Sequence, residues 1–308
     1  MKNLFKELFI VMFLFVIIVS FVEYRLQKIS APIDKVLTLL NIKDSAEILI
    51  VGNSHTGAIS VSDDTTFLNN TLNLSLAYLE LEDRYKLMKY CLDQKHFKTI
   101  LLSTDADQLG HKASSNNYDR QFYKYGFSLY NNSLANRLMA SLNFFRLQMG
   151  AGELIKSIFI NETDTANYKF NFIPLSNKSK NDYAACTLRA KEHSLFLFKK
   201  EMITENLQIL QKIIDLCKSK NSKLYLIQTP KSKCYTNVYM NQQMFILNGR
   251  IDSLAKKNYI QFLNYLGNNT FIDEDFADFD HVNNKGSRKL VNLIGIDIIA
   301  TQTNNAIK

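Results

Sequence analysis

Glycine, proline and cysteine are scarce in this chain. Among its 308 residues there are 10 glycines, 3 prolines and 4 cysteines, and tryptophan is absent. The scarcity of glycine and proline excludes a collagen-like chain, and the 46% of hydrophobic residues excludes a disordered one. The sequence also lacks a glycine-rich phosphate loop and internal repeats. The length then indicates one large folded domain, or one domain with an insertion.

The few cysteines show no pattern that would bind a metal. Cys91, Cys186, Cys217 and Cys234 form no C-x-x-C pair and have no histidine at metal-ligand spacing. We therefore predict no metal and no other cofactor. A disulfide such as Cys186 to Cys234 is permitted in an exported domain, but spacing alone leaves the connectivity open. Cys91 and Cys217 lie in amphipathic helical patterns, where a buried free thiol is the usual state.

The charge is positive, with a formal net charge of +8 and a pI of about 9.1. Such a balance favours anionic partners such as acidic glycans or lipid headgroups. No compact basic run with interleaved aromatic residues is present, so we predict no nucleic-acid partner. Lysine is spread along the whole chain, which makes the charge a weak guide to function.

The amino terminus carries the longest apolar run. Residues 8–22 are apolar except for Ser20, and Lys2 and Lys6 precede them. This pattern predicts an uncleaved membrane anchor over residues 1–25, with the rest of the chain on the extracytoplasmic side. A cleaved signal peptide is the alternative, but no small-x-small cleavage pattern follows Val22. A buried core helix is a third alternative that fits the lysines least.

The remaining chain alternates between strand and helix patterns. After a connector over residues 26–44, the pattern predicts a domain over 45–308 with five parallel strands and helices between them. The predicted strands cover residues 48–51, 70–76, 98–104, 223–229 and 259–265, and the predicted helices cover 79–94, 204–218, 240–256 and 285–299.

The alternation is interrupted between residues 110 and 200. This stretch is rich in Asn, Ser, Tyr and Lys, and we predict an inserted cap or lid with helices near 134–149 and 153–159. His111 and His193 lie in this stretch, where an ordinary surface histidine is the more common role.

Two short segments carry residues suited to nucleophilic catalysis. The sequence GNSH follows the first predicted strand and places Ser54 at its carboxyl end, where ligands bind in open α/β sheets. The sequence DFDHVNNKG precedes the last predicted helix and contains Asp278 and His281. A serine needs a base within hydrogen-bond reach, and a carboxylate that orients that base completes a triad. Taken singly, Ser54 is better explained as a helix N-cap, His281 as a polar residue near a helix start and Asp278 as an acid that compensates the helix dipole.

Together, these segments resemble the SGNH/GDSL hydrolase superfamily, and most of all its membrane-anchored, cell-envelope branch. The resemblance implies a flavodoxin-like, three-layer α/β sandwich with Ser54 as nucleophile, His281 as base and Asp278 as the orienting acid. It also implies an esterase or O-acyltransferase that acts on acetyl-type esters of envelope polysaccharide, with envelope acyl-transfer proteins as partners. Asp280 and Asp275 are alternatives to Asp278, although the spacing favours Asp278.

The segments that would stabilise an oxyanion depart from the family pattern. The family often supplies a glycine after the second strand and an asparagine after the third, and this chain has neither there. Asp105 follows the third strand, and an ionised aspartate cannot donate a hydrogen bond. Candidates for binding the oxyanion or substrate are Asn53, Leu76, Ala77, Lys231 and Tyr235.

The missing asparagine leaves a second hypothesis, a catalytically degenerate glycan-binding or assembly component with the same fold. His55, beside the nucleophile, is predicted to be structural.

Overall fold

The computed structural model describes residues 2–27, 46–57, 59, 70–75, 79–112 and 182–306. The described residues fall into two compact units, one containing the helix α1 (Lys2–Gln27) and the other containing the remaining described residues. Residues 2–25 of the predicted anchor lie within α1, and most of the predicted connector lies outside the described residues. Of the helices that the structure describes, none is long and apolar enough to span a membrane.

The second unit is built on a sheet of five parallel strands. Their order is β2-β1-β3-β4-β5, which is the order of flavodoxin-like folds. The strands are β1 (Ile48–Val51), β2 (Thr71–Asn73), β3 (Thr99–Ser103), β4 (Lys223–Gln228) and β5 (Gln261–Asn264). Each predicted strand is therefore confirmed, although every one except β1 is shorter than the sequence pattern indicated.

Seven helices surround this sheet among the described residues. They are α2 (Ser54–Gly57), α3 (Leu81–Gln94), α4 (Tyr183–Phe196), α5 (Lys200–Ser219), α6 (Lys233–Tyr239), α7 (Gln242–Lys257) and α8 (Asn284–Ala306). Short 3-10 turns cover Ala106–Gly110 and Asp273–Asp275. The predicted helices that correspond to α3, α5, α7 and α8 are confirmed.

The core forms because successive side chains of each strand point to opposite faces of the sheet. On one face, Ile50, Leu101 and Ile227 pack against Leu290 and Ile294 of α8, and all five are buried. Helix α5 contacts β4 and also packs against α3. The apolar runs of the central strands are buried on both faces, as the continuous apolar pattern of a parallel sheet requires.

The predicted cap is described only in part. Its predicted helices near 134–149 and 153–159 lie outside the described residues. Helix α4, which the sequence analysis did not predict, lies near the end of this stretch and packs against α6 and the 3-10 turn Ala106–Gly110. A disulfide between Cys186 and Cys234 joins α4 to α6, while Cys91 and Cys217 are free and buried.

Candidate active site

Ser54 lies where the chain leaves the carboxyl end of β1. The chain continues from β1 to β2 on one side and later to β3 on the other, so this end of β1 adjoins a topological switch point, where such folds bind ligands. Gly52 permits the turn, because a Cβ there would lie 2.0 Å from Thr56 Oγ1 and 2.5 Å from Ser103 Cβ. Ser54 then begins the single turn α2 and is half-buried.

The loop before α8 is built by its asparagine and glycine. Asn283 Oδ1 accepts hydrogen bonds from the N–H groups of Lys285 and Gly286, and so caps α8. Its Nδ2 donates to the carbonyl oxygens of Glu274 and Phe276. A Cβ at Gly286 would lie 2.1 Å from the carbonyl oxygen of Asp275, so the close approach needs glycine. These contacts hold the loop that carries His281.

Ser54, His281 and Asp278 form a hydrogen-bonded series. His281 Nε2 lies 3.0 Å from Ser54 Oγ, and Nδ1 lies 3.0 Å from each carboxylate oxygen of Asp278. Asp278 Oδ1 also accepts from the backbone N–H groups of Asp280 and His281, which fixes the carboxylate. The structure thus brings together the three residues that the sequence analysis proposed as a triad.

A second carboxylate faces the same nitrogen of His281. Asp280 Oδ1 lies 3.3 Å from His281 Nδ1, and the Asp280 side chain is fully buried. Burial acts to lower the pKa of His281, but the hydrogen bonds to Asp278 and Asp280 raise it above its ordinary value. Asp275, the other alternative acid, instead pairs with Lys289 and lies 3.7 Å from Lys285.

His55 belongs to the site and is not a remote structural residue. Its Nδ1 lies 2.5 Å from Asp105 Oδ2 and 2.7 Å from Lys231 Nζ, and its Nε2 lies 3.3 Å from Asp280 Oδ2. The rings of His55 and His281 are 4.7 Å apart. Both rings are almost fully buried. These contacts place the His55 ring among the side chains around Ser54 and His281.

Asp105 and Asp280 are buried anions with several donors around them. Burial acts to raise the pKa of Asp105, but Lys231 first and then His55 hold this pKa below its ordinary value. Burial likewise acts to raise the pKa of Asp280, and the hydrogen bonds from His281 and His55 hold it well below the ordinary range. Both carboxylates are therefore ionised and can only accept hydrogen bonds.

Helix α4 contributes two residues that the sequence analysis missed as site residues. Arg189 Nε donates to Asp280 Oδ1 over 2.9 Å, and its side chain is 41% exposed. His193, one turn farther along α4, lies 2.6 Å from the hydroxyl of Tyr235 and 3.7 Å from Asp280. Burial lowers the pKa of His193. His193 is thus half-buried and lies beside the site, where the sequence analysis expected an ordinary surface histidine.

His111, also predicted to be a surface histidine, is only half-exposed. It contacts Glu80 over 3.2 Å and packs against the ring of Phe196. No signal in the sequence distinguished these two histidines, because their partners come from other elements.

The structure shows the surroundings of three of the candidates for oxyanion or substrate binding. Asn53 Oδ1 accepts from the backbone N–H of His55, and its Nδ2 lies 3.3 Å from the His55 ring, so this side chain is used inside the site. Lys231 and Tyr235 are buried and contact His55 and His193 respectively. Leu76 and Ala77 lie outside the described residues.

Three of these side chains could also be considered as metal ligands. Among the described residues, His55, Asp280 and His281 have ligand atoms within 4.8 Å of one another. Each already has a protein partner, and the cations of Lys231 and Arg189 lie against the same group. A divalent cation would meet these two positive charges, so we do not assign the three residues as metal ligands.

A pocket of about 490 Å³ lies between α5 and α7. It contains none of the residues described above, and we assign it no role.

Comparison of the sequence with models of known protein families gave no match, and comparison with curated proteins gave none either. The arrangement of the side chains is therefore the basis for a functional assignment.

Proposed function

We propose that this chain is a serine esterase or O-acyltransferase whose nucleophile is Ser54. The observation that carries this proposal is the 3.0 Å contact between Ser54 Oγ and His281 Nε2, with Asp278 on the opposite ring nitrogen. A base at this distance can remove the hydroxyl proton, and a carboxylate on Nδ1 holds the tautomer in which Nε2 is the acceptor. The resemblance to SGNH/GDSL hydrolases points to the same roles.

The first step transfers an acyl group to the serine. His281 Nε2 takes the proton of Ser54 as Oγ attacks the ester carbonyl carbon. The bond to the alcohol oxygen then breaks, and His281 returns the proton to that oxygen, which leaves an acyl-serine. Asp278 and Asp280 stabilise the imidazolium that exists between these two proton transfers.

The second step transfers the acyl group from the serine to an acceptor. Water or a sugar hydroxyl gives its proton to His281 and attacks the acyl carbon. The bond between that carbon and Ser54 Oγ then breaks, and His281 returns the proton to Oγ, which restores Ser54. We propose acetyl-type esters of cell-envelope polysaccharide as the substrates, on the strength of the family resemblance and the predicted anchor. Envelope acyl-transfer proteins are then the partners, and the proposal includes no nucleic acid and no cofactor.

One observation favours the second hypothesis, a degenerate glycan-binding or assembly component. Asp105 lies at the position after β3 where the related family often has an asparagine donor, and its carboxylate is buried and ionised. It cannot donate to an oxyanion. Loss of a single oxyanion donor cost about 3 to 4 kcal/mol of transition-state stabilisation in a studied protease. Catalysis in this chain then depends on backbone donors such as the N–H of Ser54.

A fluorophosphonate probe separates the two functions. It reacts only with an activated serine, so an enzyme should be labelled in the wild type and not in Ser54→Ala. Wild-type protein that is labelled no more than Ser54→Ala, while both are folded, would support the binding component instead.

Hydrolysis and transfer differ in their need for an acceptor. Release of acetate from an acetylated glycan in buffer alone indicates a hydrolase. Release that requires an added glycan with free hydroxyl groups, and that acetylates this glycan, indicates a transferase. The Ser54→Ala variant is the control in both assays.

The proposed location is testable without a substrate. We propose a single-pass anchor at residues 1–25 with the second unit on the extracytoplasmic side, because Lys2 and Lys6 precede the apolar run. A reporter that is active only outside the cytoplasm, fused after Lys308, should be active. A silent reporter on a protein of full length would contradict this orientation.

A further inference from the structure

The residue after Ser54 and the residue before His281 face each other in the folded chain. His55 follows Ser54 in the chain, and Asp280 precedes His281, yet 225 positions separate them. Their side chains meet behind the contact of Ser54 with His281. His55 Nε2 lies 3.3 Å from Asp280 Oδ2, while Asp280 Oδ1 lies 3.3 Å from His281 Nδ1. One carboxylate thus uses a separate oxygen for each imidazole.

These contacts extend into a longer chain of alternating acids and imidazoles. It runs from Asp105 to His55, Asp280, His281 and finally Ser54. The three interior groups are almost entirely buried, with exposures of 4%, 1% and 4% for His55, Asp280 and His281. At such burial a polar contact is stronger than at the surface, and an unpaired group is costly. The position of each group therefore depends on its neighbours.

The direction of the His55–Asp280 hydrogen bond follows from charge. Asp280 is ionised and can only accept, so the proton between the two atoms belongs to His55 Nε2. This conclusion holds whether Nδ1 of His55 donates to Asp105 or accepts from Lys231, since both lie within reach of Nδ1. His55 thus presents a donor to Asp280 in either case.

We propose that His55 is a positioning residue for the reaction, which holds Asp280 against His281 through its Nε2–H. It acts through Asp280 and contacts no reacting atom. This inference rests on the proposed function, because it assigns a role relative to the base His281. Displacement of a catalytic group by about 1 Å can cost about 10²-fold in rate, so loss of the donor should be measurable.

Other charged groups also face this part of the site. Arg189 donates to the same oxygen of Asp280 that faces His281, and His193 lies 3.7 Å from the oxygen that faces His55. Lys231 donates to the backbone oxygen of Asp280 over 3.2 Å, and Asp278 shares Nδ1 of His281. Of these groups, only His55 holds Asp280 Oδ2 by a hydrogen bond. Removal of this one donor should therefore slow labelling of Ser54, even though the other contacts of Asp280 remain.

Two near-isosteric variants test the two ring nitrogens of His55 one at a time. In His55→Gln the amide reaches the position of Nε2, so a donor to Asp280 is kept. In His55→Asn the amide occupies the position of Nδ1, so a group toward Asp105 is kept and the donor to Asp280 is lost. We expect fluorophosphonate labelling of Ser54 to slow about 10- to 100-fold in His55→Asn and clearly less in His55→Gln. Equal rates in the two variants, or no slowing in His55→Asn, would overturn the proposal.

A double-mutant cycle tests whether the effect passes through Asp280. If it does, His55→Asn should slow labelling little further in protein that already carries Asp280→Asn. Effects that multiply fully would overturn the proposal, because they would show that His55 acts independently of Asp280. Near-ultraviolet circular dichroism shows which variants are folded, and only folded variants are compared in the cycle.

A titration of His281 by NMR needs no catalysis. The pKa of His281 should fall in His55→Asn, because Asp280 is no longer held against its Nδ1, and should fall further in Asp280→Asn. An unchanged value in His55→Asn would overturn the inference. Failure of wild-type labelling would instead count against the serine nucleophile, and the NMR titration would still decide the His55 contact.

Discussion

At the scale of single residues, the imidazole of His281 has two carboxylates on one nitrogen. Asp278 binds Nδ1 with both oxygens at 3.0 Å and is partly exposed, while the fully buried Asp280 approaches to 3.3 Å. In a triad with a single acid, replacement of that acid by its amide lowers the rate by about 10⁴-fold because the tautomer is lost. A second acceptor should limit that loss.

We therefore expect Asp278→Asn to slow fluorophosphonate labelling by about 10- to 100-fold, well short of the 10⁴-fold loss, because Asp280 still accepts from Nδ1. The double variant Asp278→Asn/Asp280→Asn should be slower than either single one. Asp252→Asn is the matched control, since the Asp252 side chain is 42% exposed and pairs only with Lys256 among the described residues. A single Asp278→Asn change as damaging as the double change would contradict a shared role.

The pH dependence of labelling follows from the same two carboxylates. The base must be neutral to accept a proton, and the pKa of His281 is raised above its ordinary value of about 6.5. The rate should therefore increase with pH, with a midpoint above about 6.5, and should fall as His281 becomes protonated. Asp278→Asn should move the midpoint to lower pH. A wild-type midpoint at or below the ordinary value would contradict the electrostatic account.

At the scale of elements, the turn between β1 and α2, which carries the nucleophile, is closely packed against β3. An added Cβ at Gly52 would collide with Thr56 and with Ser103 of β3. We expect Gly52→Ala to lower the free energy of unfolding by about 1–3 kcal/mol and to slow labelling, because the strand or the turn must shift. Urea unfolding measures the first effect.

Gly249→Ala provides the control for this change. Gly249 lies on the exposed side of α7, with no atom within 4 Å of an added Cβ. Alanine should raise the free energy of unfolding by up to about 1 kcal/mol through its helix propensity. Equal effects at Gly52 and Gly249 would show that the turn after β1 is not constrained as described.

The disulfide between Cys186 and Cys234 holds α4 beside the site. It closes a loop across 48 positions, and α4 supplies Arg189 to Asp280. We expect Cys186→Ala/Cys234→Ala, or reduction of the wild type, to lower the free energy of unfolding by about 2–5 kcal/mol. Reductant should leave the double variant unchanged. Equal urea midpoints for oxidised and reduced wild type would contradict a stabilising role.

The elements of the sheet could be predicted because their signals are local. The apolar run from Ile48 to Val51 indicates a strand that is buried on both faces. In α5, the helical spacing of the apolar residues indicates which side chains are buried. Helix α4 has a mixed surface, with Leu188 and Leu195 exposed, so its sequence gave no such signal. Its packing depends on α6 and on the disulfide, which spacing alone left open.

At the scale of the whole molecule, the site collects residues from distant parts of the chain. Ser54, Asp105 and Lys231 follow β1, β3 and β4, whose carboxyl ends meet at one edge of the parallel sheet. His281 comes from the loop before α8, 227 positions after Ser54. The pairing of Ser54 with His281 could be proposed because both lie in recognisable motifs. His55 and Asp280 also lie in these motifs, but their mutual contact depends on the folded arrangement.

The central claim is that His281 activates Ser54, and site-resolved labelling tests it most directly. Wild-type protein and His281→Gln are treated with a fluorophosphonate, and mass spectrometry of peptides locates the adduct and follows its formation. We predict an adduct on Ser54 that forms at least about 10²-fold more slowly in His281→Gln, as expected for loss of a general base. No adduct on Ser54 in the folded wild type, or equal rates in the two proteins, would contradict the claim.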